Sequence, residues 1–307
     1  MGNTLKDLQA SLVTAKASWQ AAANEMSALT PEVAATRLGF SPAPGDKTLA
    51  QHEATATANL QVHLAAMAVK TLTVIPISKD WRNVGGRNFI TPVKNQGSCG
   101  SCVAFGTNAT IDAAMRIVTG IAVNDANGHI VPDLSEAQMF YCGGAAQGRN
   151  CGNGWWPTGP NGSFEYAKVH GLAPESCFPY TAGNQPCKPC ANQANLLTHI
   201  SAYHVLTNAT DMKTWLAQRG PLETCFTVYN DFFSYSSGVY HHVSGAVAGG
   251  HCVCVVGYND TLKAWLCKNS WGTGWGIGGY FWIGYGQCGI DSQMVAVDGF
   301  TNINLVP

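Results

Sequence analysis

The chain has 307 residues, 46% of them hydrophobic and only 11% charged, with a net charge of -1, which is enough for one or two domains with cores of their own. There is no basic tail or stripe, so nothing recommends a nucleic acid or an acidic membrane surface as partner. The apolar tract from Val62 to Ile77 contains His63 and Lys70 and is too short to span a bilayer.

Residues 1 to about 75 are Ala-rich and free of cysteine, and they read as helical. Leu5, Leu8, Leu12 and Val13 share one predicted stripe. Thr30-Pro31-Glu32 is a hydroxyl N-cap followed by Pro at the first helical position. Ser41-Pro-Ala-Pro-Gly45 is a break, and Thr48 to Leu72 reads as a third helix. No signal-peptide core follows Met1, so an export signal is not visible. All 12 cysteines lie from Cys99 onward, and that number points to disulfides formed in an oxidising compartment, either secreted or lysosome/vacuole-like.

From Cys102 to Gly120 the sequence predicts one buried helix, with Val103, Phe105, Ile111, Ala114 and Ile117 apolar and Gly120 at the C′ position. Ser135-Glu-Ala-Gln138 is a capping-box pattern opening another helix through Tyr141. After about Leu196 short apolar runs between Gly-rich turns read as strands: Val205, Phe226 to Val228, Cys252 to Val256, Ala264 to Cys267 and Tyr280 to Ile283. A helical half followed by a β half predicts an α+β fold.

The chemistry concentrates in three runs. Pro92-Val-Lys-Asn-Gln-Gly-Ser-Cys-Gly-Ser-Cys-Val-Ala-Phe105 sets Gln96 six residues ahead of Cys102, at a helix start whose free N–H groups favour a thiolate. His251 stands in the strand-like His251-Cys-Val-Cys-Val-Val-Gly257, and Asn269 in Lys268-Asn-Ser-Trp-Gly-Thr-Gly-Trp-Gly276. A thiol, an imidazole, an amide to orient it and an amide donor for an oxyanion are the parts of a cysteine acyl-transfer enzyme. Together the runs resemble the papain and cathepsin family of cysteine peptidases, from about Asp80 to the C-terminus.

The resemblance implies a papain-like two-domain fold: a helical pro-segment (1–75), a mainly helical left domain (76–195) and a mainly β right domain (196–307). It implies Cys102 as nucleophile, His251 as base, Asn269 as the group that holds the imidazole, Trp271 as its shelter, and Gln96 as an oxyanion donor. It further implies the pairs Cys99–Cys151, Cys142–Cys187 and Cys177–Cys190. The other five, Cys225, Cys252, Cys254, Cys267 and Cys288, are expected as free buried thiols. Gly154 is expected to pair with substrate backbone. Trp155, Cys225, Gly250, Cys252 and Gln293 are expected to line an uncharged pocket for the residue before the scissile one. Val103 departs from the family's usual Trp after the nucleophile, which implies altered packing. The implied partners are protein or peptide substrates, cystatin-type inhibitors and the chain's own pro-segment. The expected state is a monomer with no cofactor and no metal.

Two alternatives compete with the endopeptidase reading. One is a thiol-disulfide oxidoreductase using Cys99 and Cys102; the other is a catalytically silent papain-fold binding protein. A purely structural reading makes Cys102 half of a Cys99–Cys102 disulfide or a zinc knuckle. An accessory helical domain competes likewise with the pro-segment reading of residues 1–75. The pro-segment reading expects Ala65 to Ile77 to cross the cleft near Cys102. It also expects Asp7, Glu25 and Glu32 to pair with the catalytic domain, which would weaken latency in acid.

Overall fold

The computed structural model describes residues 4–68, 75–123, 125, 131 and 133–305. Helix α1, Leu5–Thr14, starts at a reciprocal cap: the Asp7 N–H donates to the Thr4 hydroxyl at 3.3 Å and the Thr4 N–H to the Asp7 carboxylate at 2.9 Å. Leu8 and Leu12 bury its inner face, whereas Val13 is 80% exposed. Its neighbour Leu12 already points at the core, and adjacent helical residues do not share a face. Strand β1 is Trp19–Ala21, and α2 is Pro31–Ala35, capped by the Thr30 hydroxyl on the Val33 N–H as its sequence predicts. Helix α3, Leu49–Ala68, follows the Ser41–Gly45 break; its predicted end at Leu72 lies outside the described residues.

Strand β2 (Ser78–Asp80) precedes α4 (Cys102–Thr119), which ends at Gly120 with φ 67°, a left-handed terminus that glycine adopts without strain. The helix predicted from Ser135 forms, but its capping box is half made. The Gln138 N–H donates to Ser135 Oγ at 2.9 Å, while the Gln138 side chain turns instead to the Gly171 carbonyl and the Ala173 N–H. Between Gln138 and Gly144 this helix widens to a π-helix. Helix α5 spans Ser163–Val169.

The second half is β3 (His199–Leu206), α6 (Ala209–Gln218), β4 (Leu222–Tyr229), β5 (Tyr235–Tyr240), β6 (Val247–Asn259), β7 (Ala264–Lys268), β8 (Tyr280–Gly284) and β9 (Met294–Asn302). The strands form one sheet in the order β1-β5-β8-β7-β6-β4-β9-β3, with β2 on the far end of β6. Only β5–β8 is parallel among the pairs described.

Two cores result. One fills the β half around Trp265, Trp275, Phe281 and Tyr240. The other lies under α4 and the π-helix around Phe140, Trp155 and Phe164, and fully buries Val103. This is the expected α+β, two-domain papain-like arrangement, with the N-terminus of α4 set against β6. The N-terminal segment is built into it. Trp19 lies opposite Gly238 on β5, its ring centroid 5.1 Å from that of Tyr240, and its indole N–H donates to the His241 carbonyl at 2.9 Å.

Candidate active site

Cys102 opens α4 and is fully buried. Its sulfur accepts from the Cys252 N–H at 3.4 Å on β6 and from the Gly39 N–H at 3.2 Å in the N-terminal segment. Burial pushes this thiol up to about 12, and the two N–H groups offset that only in part. His251, on β6, donates through Nε2 to Asn269 Oδ1 at 2.7 Å. That oxygen also accepts from the Ser270 N–H at 2.8 Å, so Nε2 is the donor and the neutral ring carries its lone pair on Nδ1. Nδ1 has no protein partner. Burial pulls the imidazole down to about 4 against the opposing Asn269 bond. In this form both members of the pair are therefore neutral. Trp271 is buried beside the ring, with centroids 4.7 Å apart, and keeps water from the His251–Asn269 bond.

Gln96 is fixed from both ends. The Ser270 hydroxyl donates to its Oε1 at 2.6 Å, which orients Nε2 toward the Cys99 carbonyl at 2.7 Å and the Arg37 carbonyl at 2.9 Å. The expected four residues thus share one site, and the segment from Arg37 to Ser41 lies across it. The Trp155 N–H donates to the Gly39 carbonyl at 2.8 Å, the Ser41 N–H to the Trp155 carbonyl at 3.0 Å, and the Phe40 N–H to the Gly250 carbonyl at 3.0 Å. Phe40 runs parallel to the Trp155 side and antiparallel to Gly250. Gly154 permits this approach, since a Cβ there would meet the Gly39 carbonyl oxygen at 2.0 Å. Phe40 falls in the same apolar cluster as Trp155, Cys225 and Cys252. Gln293 is half-buried beside them, its carbonyl accepting from the Thr224 hydroxyl at 3.0 Å.

This corrects the expected occupant. Arg37–Ser41 fills the cleft; of the expected occupant, residues 65–68 lie in α3 and residues 69–74 lie outside the described residues, while Pro76 and Ile77 lie at the far end of β6, where their carbonyls accept from the Tyr258 hydroxyl and the Asp260 N–H. The side chains of Ala65 to Val74 lie outside the described residues. The expected carboxylate bridges are not made either. Asp7 caps α1, Glu32 bonds at the start of α2, and Glu25 faces Arg37 of its own segment. The carboxylate that does reach across is Glu53 of α3, which accepts from the Tyr229 hydroxyl at 2.9 Å.

Three disulfides, Cys99–Cys151, Cys142–Cys187 and Cys177–Cys190, form as implied. Cys99 is thereby committed, which leaves Cys102 without the second thiol that a CxxC oxidoreductase or a zinc knuckle needs. A fourth bridge, Cys225–Cys252, overturns the expectation of five free thiols. These residues are register partners on β4 and β6, with Cα atoms 4.0 Å apart, so their side chains leave the sheet on one face within bonding reach. Cys254, Cys267 and Cys288 stay free and buried. Glu223, Cys225 and Cys252 have donor atoms within 4.8 Å of one another. Disulfide sulfurs are poor ligands, so this cluster is not a metal set while the bridge is closed.

The fold and the site define a class: a two-domain α+β protein with a buried thiol and an imidazole on opposite walls of a cleft. The profile described as papain family cysteine protease matches residues 75–297, and the chain belongs to that family. It is 35% identical to pro-cathepsin H of Bos taurus over 70% of this chain and 62% of that protein. It is likewise 35% identical to the thiol protease aleurain of Arabidopsis thaliana over 72% and 59%. The chain thus spans about three fifths of the length of these curated relatives. Among solved structures it is similar to procathepsin B S9 from Trypanosoma congolense, with TM-score 0.74 and 25% identity over 98% of this chain and 99% of that one. It is also similar to digestive procathepsin L2 from Tenebrio molitor larval midgut, with TM-score 0.72 and 28% identity over 96% and 88%.

Proposed function

We propose that the chain is a papain-type cysteine endopeptidase in its proenzyme form, with residues to about 75 as the inhibitory segment and the mature chain starting near Ile75. The observation that carries this reading is the Arg37–Gly39 backbone. It lays a carbonyl on Gln96 Nε2 and an N–H on the Cys102 sulfur, as a peptide does in a site built for peptides.

Withdrawal of that segment readmits water to the cleft and relieves the burial that keeps both groups neutral. His251 Nδ1 then takes the Cys102 proton, with Asn269 holding the ring so that the charge it gains is hydrogen-bonded. The thiolate attacks the scissile carbonyl. The oxyanion receives the Gln96 Nε2–H that the Arg37 carbonyl now occupies, together with the Cys102 backbone N–H. The imidazolium protonates the departing amine, and water activated by the same ring releases the acyl group. A parallel strand along Trp155 runs opposite to the substrate direction expected beside Gly154, which keeps the segment's own bonds out of line for attack.

The reading extends to protein or peptide substrates with an uncharged residue in the subsite held by Phe40, to cystatin-type inhibitors of the open cleft, and to a monomer. The four disulfides support a secreted or lysosome/vacuole-like compartment. No helix among the described residues is long and apolar enough to cross a membrane. The test is hydrolysis of a fluorogenic peptide by acid-processed protein, with an epoxysuccinyl inhibitor labelling Cys102 alone. Undiminished hydrolysis by Cys102→Ala would refute the assignment.

A further inference from the structure

The fourth disulfide sits where Phe40 is held. The Phe40 ring lies over Gly250, its Cδ1 only 2.9 Å from where a Cβ on that glycine would be. Cys252 is the next residue on the same face of β6, and Cys225 stands opposite it on β4. Both cysteines share the apolar cluster of Phe40 and Trp155, with Leu49 packed against it. Behind the bridge the space is taken by Glu223, which has a carboxylate oxygen within 4.8 Å of both sulfurs and whose Oε2 accepts from the Thr107 hydroxyl at 2.7 Å. The Glu223 side chain also stands against Gly106 of α4, whose added Cβ would meet it at 2.8 Å. The sulfurs therefore have filled space inward and the Phe40 subsite outward.

We propose that the Cys225–Cys252 disulfide is the specificity-determining wall of the subsite that Phe40 occupies, and that a dithiol reductant resets that specificity by opening it. The kinetic arm of this proposal rests on the peptidase reading above. A dithiol's thiolate displaces one cysteine sulfur to give a mixed disulfide. Its second thiol then displaces the other sulfur, leaving a cyclic disulfide on the reductant and two thiols on the protein; both electrons come from the dithiol, one proton from its second thiol and one from the water that took the proton of the first. Glu223, held protonated by burial, stands where a departing thiolate needs a proton and regains one from the reductant's second thiol. Two unbonded sulfurs must sit at van der Waals separation in place of a covalent bond. With Glu223, Thr107 and Gly106 behind them, the extra width goes into the subsite. The opened pocket is narrower and disfavours a bulky aromatic side chain.

The experiment equilibrates the full-length protein in dithiol buffers of graded reducing strength and maps each cysteine by differential alkylation and mass spectrometry. One arm uses the Cys102→Ala chain and follows amide exchange at Phe40 and Ser41, which needs no catalysis. The other uses acid-processed protein and compares peptides with Phe or Val in the P2 position. Opening of Cys225–Cys252 is expected to speed exchange at both amides. It is also expected to lower the Phe-to-Val ratio of kcat/KM by about tenfold, the scale of a misfit of one or two methylenes. A Cys225→Ala/Cys252→Ala chain should lose both redox responses. The proposal is overturned if the two cysteines alkylate without reductant, if the bridge opens while both readouts stay constant, or if the double variant still responds. If that variant fails to fold, the wild-type titration decides alone, by whether the readouts follow opening of this bridge or of another. Absence of all hydrolysis beside a clear exchange response would remove the peptidase reading and leave the disulfide proposal standing.

Discussion

Gly39 holds its N–H 3.2 Å from the sulfur of Cys102, and it has no room for any side chain. A Cβ on Gly39 would lie 1.8 Å from the Gly100 carbonyl oxygen, a rigid backbone atom in the loop that leads into α4. The contact between this segment and the Cys102 sulfur therefore depends on the smallest residue.

Gly39→Ala is accordingly expected to lift Arg37–Ser41 off the cleft. Freshly folded full-length Gly39→Ala protein, assayed at neutral pH before processing, should hydrolyse a fluorogenic peptide at least roughly tenfold faster than the parent chain, as expected for a loss of about 1.4 kcal/mol or more in docking. Equal latency of the two proteins would show that the contact is not needed for inhibition.

Gln96 predicts a loss confined to the transition state. Gln96→Ala in the processed enzyme should lower kcat by about 10²–10³-fold with little change in KM, because the amide meets the oxyanion and contributes little to ground-state binding. A rise in KM at constant kcat would assign Gln96 to substrate binding instead.

Two histidines of α3 set the expected response to acid. His52 is buried, with Nδ1 3.0 Å from the Ser292 hydroxyl and Nε2 unpartnered; His63 is buried against Tyr285 with neither nitrogen partnered. Desolvation lowers both imidazoles below their ordinary value, His63 to about 4. The Lys213–Asp260 ion pair beside His63 contributes a smaller repulsion from Lys213 and a smaller attraction from Asp260. At His52 the corresponding smaller contributions come from Lys47 and Asp46. A lowered imidazole contributes full docking stability above about pH 6.5, the unfolded value, and loses it progressively as pH falls toward 4. The half-time of processing, followed on gels between pH 7 and pH 4, should shorten across that window. In His52→Gln/His63→Gln the window should move down by about one pH unit. An unmoved window would return the acid response to other groups, Glu53 among them.

The uncharged walls around Phe40 predict that Phe, Leu or Val is preferred over Arg at P2 in a library scan of the processed enzyme. Gln293→Glu should raise the Arg signal by about tenfold or more, since it sets a carboxylate beside that subsite. Arg ranked first in the parent enzyme would show that the subsite lies elsewhere.

Legibility followed the kind of contact. That Cys102, His251, Asn269 and Gln96 meet at one place was legible because the role proposed for each demands one side-chain chemistry, and each stands in a run that few other uses explain. The cleft occupant was not, because Arg37 contributes a carbonyl and Gly39 an N–H, groups that nearly every residue carries. Position along the chain pointed to Ala65–Ile77, whereas the chain crosses the cleft early and then spends α3 packing against the Gln287–Gly289 turn. The Cys225–Cys252 bridge was hidden for another reason: it depends on the register of β4 against β6, and a shift of one residue would send the two sulfurs to opposite faces. The α4 helix and its glycine terminus, being local, were readable almost to the residue.

Trp19 belongs to the segment proposed above to be removed, yet it sits 3% exposed in the core of the β half, between Tyr235 and Tyr240. Folding and working life then begin from different molecules. On that reading the shortened chain would keep a core that has lost one of its rings. Its durability is then expected to rest on the height of its unfolding barrier and on the bridges that tie its loops, a rate and not an equilibrium.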